Sequence, residues 1–134
     1  MPMRRVTISA VAVVFLTGSP PLAAAQSAPT ITEALDLGDC PDTAAGLEIG
    51  KGYACTCTSN AEQGVIYGTI LYSNDSYICT AAIHTGLIAN DMAGKIIVQV
   101  IESPTVFRGT TQNGIKSTVW PKPTASAFRL TKVP

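Results

Sequence analysis

The chain has 134 residues, 46% hydrophobic and 13% charged, and its nine basic residues are balanced by nine acidic ones. A chain of this length holds one ordinary domain rather than two. A formal net charge of zero excludes the strongly basic surface that general nucleic-acid binding requires, so no nucleic-acid partner is expected.

Arg4 and Arg5 precede an apolar stretch from Val6 to Leu16 broken only by Thr7 and Ser9, and Ala23-Ala24-Ala25 places small residues before Gln26. This pattern predicts a secretory signal peptide over residues 1–25 and a secreted or periplasmic mature protein. The apolar run is shorter than the roughly 20 residues needed to cross a hydrocarbon core, so no transmembrane span is expected after cleavage. The next segment is rich in Ala, Ser, Pro and Thr, and residues 26–38 are expected to form a flexible leader to a domain at 39–131, with 132–134 as a C-terminal tail. Losing Arg4 and Arg5 leaves a mature net charge of about −2. The charges are unevenly spread: Lys51 is the one basic residue between Gln26 and Asp91, whereas Lys95, Arg108, Lys116, Lys122, Arg129 and Lys132 face only Glu102 from Met92 onward. Such a split makes either a basic patch or two halves that interleave in space, and the second is the simpler expectation.

Cys40, Cys55, Cys57 and Cys79 are an even set in a small exported chain, which predicts two disulfides. If the segment carrying Cys55 and Cys57 is extended, the two lie on one face about 7 Å apart, too far and too cramped to bridge each other. Two pairings remain. Zinc binding through these cysteines and His84 is disfavoured: Cys79 and His84 are five residues apart and diverge by roughly 140° on a helix. The same divergence argues against a Cys-His nucleophile pair, and neither a metal nor another cofactor is expected.

Val65 to Tyr72, VIYGTILY, is rich in β-branched and aromatic residues and reads as one buried strand. A helix follows, with Asn74, Asp75 or Ser76 available to cap its start and Gly86 able to end it in the left-handed conformation. Ile78, Cys79, Ala81, Ala82 and Ile83 leave little polar surface, so this short helix belongs inside a wrapping sheet. Its one polar stripe is Tyr77, Thr80 and His84. His84 is expected to act structurally, bonding free carbonyls or a neighbouring strand, because no second titratable group is placed to work with it. Lys95 to Ile101 is the clearest further strand, after a turn at Ala93-Gly94. Asn113-Gly114 marks a turn between an extended piece near Val106-Phe107 and Ile115 to Trp120, and Ser126 to Leu130 reads as a closing strand set off by Pro121 and Pro123.

The spacing Y-x-x-x-S-x-I-C-x-A-A-x-H-x-G-x-I, carried by Tyr72, Ser76, Ile78, Cys79, Ala81, Ala82, His84, Gly86 and Ile88, resembles the core motif of the LCCL domain family. Cys40-Pro41, Gly64 to Thr69, Asn113-Gly114-Ile115 with Ser117, and Ala127-Phe128 resemble its flanking pieces, although Tyr67 stands where many members place Trp and Ala127 replaces a Ser. The resemblance implies an α+β domain, with antiparallel-rich sheet strands wrapped around a central short helix and stapled by two disulfides. It also implies the pairings Cys40 with Cys55 and Cys57 with Cys79, although animal members space the middle cysteines more widely. Some animal members are associated with host defence and with a proposed recognition of lipopolysaccharide or other microbial surface material.

No paired carboxylates, nucleophile elbow or metal motif appears in the chain. The expectation is therefore an exported, non-catalytic binding module for an envelope glycan, a lipopolysaccharide-type glycolipid or another surface ligand, with no ligand-binding residue assigned. The alternative is a small structural or inhibitor-like protein docking on another exported protein through the segment from Glu102 to Gln112.

Overall fold

The computed structural model describes residues 34–59 and 61–134; the expected signal peptide, residues 1–25, and the leader as far as residue 33 lie outside the described residues. The elements run β1 (Leu35–Asp39), β2 (Gly52–Cys57), β3 (Gly68–Thr69), β4 (Leu71–Ser73), α1 (Ile78–Thr85), β5 (Gly94–Ile101), β6 (Thr111–Gln112), β7 (Ile115–Lys116) and β8 (Ala127–Lys132). Six strands form one sheet in the order β1-β2-β5-β8-β4-β3, and β6 and β7 make a separate two-stranded ribbon. Among these strands the pairings are antiparallel except that of β1 with β2. This is the expected α+β class.

The core follows from the period-two geometry of the long central strands. Ile96, Val98 and Val100 of β5 share a face; Cys55 and Tyr53 of β2 lie opposite the first two, and Leu130 and Phe128 of β8 lie opposite Val98 and Val100. Against this face pack Tyr72 of β4 and the helical Ile78, Ala81 and Ala82, all fully buried. Each large aliphatic side chain so covered contributes about 1.5–3 kcal/mol relative to exposure. The two alanines let the helix backbone come close to the sheet, as the sequence suggests.

Four expectations need correction. Val65 to Tyr72 is not one buried strand. The chain reverses within it, pairing Gly68 with Tyr72 and Thr69 with Leu71, so that Ile70 alone forms the turn. Gly68 has φ +117° and a side chain there would meet the Leu71 carbonyl, while Ile70 has φ +67° and is 70% exposed. The β-branched composition signals strand, but not where it folds back. The leader is not loose along its full extent, since Leu35–Asp39 pairs with β2; its exposed, polar-interrupted sequence hides a strand that owes its order to pairing. Lys132, expected in the tail, closes β8 opposite Ile96.

The fourth correction concerns the helix start. Tyr77 occupies the N-cap and no side chain caps it. The expected cap residues are committed elsewhere: the Ser76 hydroxyl accepts from the Tyr67 amide at 2.8 Å, and Asp75 takes the Ser73 hydroxyl. Loop carbonyls cap instead, with the Ile78 amide donating to Asp42 at 2.8 Å and the Tyr77 amide to Val65 at 3.2 Å. The C-terminus is as expected: Gly86 has φ +83° and its amide returns to Ile83.

Candidate functional site

The motif residues are assembled in the interior. Tyr72 stacks on Phe128 with ring centroids 5.6 Å apart and meets the His84 ring edge-on at 5.7 Å. Ser76 is fully buried and its hydroxyl joins those of the β3–β4 hairpin. Ile88 is 6% exposed and packs beside Gly94, where any side chain would crowd it. Cys79 bridges Cys57 and Cys40 bridges Cys55, the pairing that the resemblance implies. Cys55 and Cys57 both lie on the core face of β2, which turns each toward a partner from a different element.

His84 is fully buried in the last turn of α1. Its Nδ1 lies 2.6 Å from the Tyr72 hydroxyl, and its Nε2 lies 3.2 Å from both the carbonyl and the hydroxyl oxygen of Thr110. A carbonyl can only accept, so Nε2 carries the proton and Nδ1 accepts from Tyr72. Burial pushes the Tyr72 hydroxyl up to about 12, which keeps it a donor. Asn113 donates to the His84 carbonyl at 2.9 Å, closing the end of the helix. Both imidazole nitrogens and the Cys79 sulfur are thus committed, and the histidine tethers the loop after β5 to the helix.

That loop carries the β6–β7 ribbon. Phe107 is buried and pairs with Trp120, while the Ser117 amide donates to Thr110 and the Ser117 hydroxyl accepts from its amide. The ribbon so made lies beside β3, because Thr118 bridges Tyr67 and the Thr69 hydroxyl donates to the Arg108 carbonyl at 2.9 Å. An open cleft of about 410 Å³ follows it, lined by Gly109, the hydroxyl residues Thr110, Thr111, Ser117 and Thr118, Lys116 and Val119. Trp120, 39% exposed, meets Tyr67 edge-on at 5.4 Å, and Val119 is 58% exposed. The ion pairs among the described residues join Lys51 to Glu48 and Lys95 to Asp36, and leave Arg108 and Lys116 outside them.

In the sequence Ser117 stands out as part of a family piece and Lys116 as one of the basic residues of the second half, while Gly109, Thr110 and Thr111 fall inside the segment Glu102 to Gln112; none of them is marked there as lining a cleft. Asn113-Gly114 reads correctly as a turn, but the reach of Asn113 and Thr110 back to α1 depends on the tertiary path of the loop. The usable signal is the charge bias after Met92, of which Arg108 and Lys116 are the members at this ribbon. The segment Glu102 to Gln112 is not a free docking loop along its length, since Phe107 and Thr110 anchor it to the body.

The LCCL domain family model matches residues 39–127. Vitrin of Mus musculus is 31% identical over 83 residues, which is 60% of this chain and 13% of vitrin. Cochlin of Homo sapiens is 34% identical over 90 residues, covering 65% of this chain and 16% of cochlin. Human cysteine-rich secretory protein LCCL domain-containing 2 is 33% identical over 52 residues, covering 39% and 10%. The matched region is thus a small part of each relative.

Proposed function

Taking as premise that the chain belongs to the LCCL domain family, we propose that it is an exported, non-catalytic binding module whose ligand is an anionic glycan or lipopolysaccharide-type glycolipid of the envelope. Export rests on the signal-peptide pattern over residues 1–25 and on two oxidised cysteine pairs, and one relative has "secretory" in its name. The observation that carries the ligand class is the composition of the cleft beside β6 and β7. Four hydroxyl residues suit hydrogen bonding to sugar hydroxyls, Lys116 and the neighbouring Arg108 suit an anionic group, and Val119 offers an apolar lip, with the part-exposed Trp120 next to it in the chain. A non-catalytic role accords with His84, whose nitrogens are held by Tyr72 and Thr110 inside the protein rather than turned to a substrate.

Isothermal titration of the wild-type chain and a Lys116→Ala/Trp120→Ala variant against purified envelope glycolipid and glycan fractions tests this reading. Heat with the wild type and its loss in the variant, at unchanged melting temperature, is the expected result. No heat with any fraction, together with a protein retained from periplasmic extract after glycan digestion, would favour docking on another exported protein instead.

A further inference from the structure

The two bridges are not independent staples. Sγ of Cys57, in one bridge, lies 3.7 Å from Sγ of Cys40 in the other, and the sulfurs of Cys40, Cys57 and Cys79 all lie within 4.8 Å of one another. The cause is β2: Cys55 and Cys57 project from the same face of one strand, while Cys40 enters from the segment after β1 and Cys79 from the first turn of α1. The four sulfurs also differ in access. Cys55 is fully buried and Cys57 is 2% exposed, whereas Cys40 and Cys79 are half-buried and line a cleft of about 150 Å³ whose wall carries Asp39, Asp42 and Glu62. One reachable sulfur of each bridge thus faces the same acidic opening, with its buried partner behind it.

We propose that these four cysteines form a single exchange-active site that takes an external thiol, preferring a cationic one, and passes the disulfide from Cys40–Cys55 to Cys40–Cys57. In the first step the incoming thiolate attacks Sγ of Cys79. A bond forms between the external sulfur and Cys79, the Cys57–Cys79 bond breaks, and its electron pair leaves on Cys57 as a thiolate. In the second step that thiolate, already in contact with Sγ of Cys40, attacks it. The Cys40–Cys57 bond forms, the Cys40–Cys55 bond breaks, and Cys55 leaves as a thiolate that takes a proton from water. The second step needs no further oxidant or reductant, because one disulfide replaces another. The carboxylates of Asp39, Asp42 and Glu62 set the selectivity, attracting a cationic thiol and repelling an anionic one.

Substitution isolates the second step in one variant and, in the other, tests whether the same Cys40–Cys57 bond forms by attack from the Cys40 side. Cys79→Ser leaves Cys57 as a free thiol beside the intact Cys40–Cys55 bridge, and Cys55→Ser leaves Cys40 free beside Cys57–Cys79. Each purified variant, shown folded by circular dichroism, is held at about pH 8, where an ordinary thiol is partly ionised, then alkylated and mapped by non-reducing mass spectrometry. The expected result is a Cys40–Cys57 peptide in both, with alkylated Cys55 in the first variant and alkylated Cys79 in the second. Recovery of only the original bridge, in whichever variants fold, overturns the proposal. In the wild-type chain at low salt, cysteamine is expected to form the Cys79 adduct about tenfold faster than mercaptoethanesulfonate; equal rates would remove the acidic opening as the entry route and overturn the stated preference.

Discussion

Tyr72 shows how one side chain can serve core and network together. Its ring is stacked in the core, and its hydroxyl is the donor that fixes the tautomer of His84. Replacing it by Phe keeps the ring contact but leaves Nδ1 of His84 buried without a donor. The expected cost at neutral pH is about 1–3 kcal/mol, measured by urea denaturation. The same group gives the domain an alkaline limit. The hydroxyl ionises near its ordinary 10.0 in the unfolded chain and at about 12 when folded. Below the unfolded value both states keep the proton and the contribution is whole; between the two values the unfolded chain loses its proton first, so stability falls as pH rises toward 12. At about 1.4 kcal/mol per pKa unit the loss is about 3 kcal/mol. Tyr72→Phe should therefore lose this component of the decline in stability above pH 10.0, and an identical alkaline slope in the two proteins would contradict the assignment.

At the scale of elements, the β3–β4 hairpin is the exception to the local rules. A β-branched residue at positive φ is disfavoured by contact between its side chain and the backbone, and Ile70 adopts φ +67° at the tip of a one-residue turn while 70% exposed. Ile70→Gly relieves that contact and removes little buried surface. It should raise stability by about 1 kcal/mol, a shift of roughly 4 °C in melting temperature for a domain of this size. A fall in melting temperature would mean that the isoleucine makes packing contacts that outweigh its backbone cost. The hairpin also marks the limit of what could be read beforehand. The helix was legible because its apolar residues, small residues and terminal glycine agree with one another, and β5 because Ile96, Val98 and Val100 alternate cleanly. The hairpin was not, since VIYGTILY carries the composition of a strand and its reversal depends on Gly68 and Ile70 at positive φ. Strand β1 was hidden for a related reason: its side chains are exposed, so only its pairing with β2 orders it. Hydroxyl residues in the loop after β5 look like ordinary solvated residues until Thr110 and Ser117 are seen facing each other across it.

For the whole molecule, the sheet order settles the meaning of the uneven charge. Strands β5 and β8, from the basic half of the chain, lie between β2 and β4 from the acidic half, so the halves interleave and Lys95 reaches Asp36 at 3.0 Å. What escapes this mixing is the excursion between β5 and β8, where Arg108 and Lys116 sit beside the cleft. If that surface binds an anionic ligand, the affinity should weaken severalfold as ionic strength rises from about 0.01 M to 0.15 M, because the screening length contracts from about 30 Å to 8 Å. The disulfides should determine whether the scaffold persists through such a titration. They join cysteines separated by 15 and 22 residues, and on the chain-entropy account each contributes about 3 kcal/mol by restricting the unfolded state. Their sum approaches the total margin of a small domain, about 5–15 kcal/mol. Reduction of both bridges followed by alkylation should therefore lower the melting temperature by tens of degrees or abolish the cooperative transition in calorimetry. A reduced, alkylated chain that melted at the temperature of the oxidised one would mean that packing of β2, β5, β8 and α1 alone holds the fold.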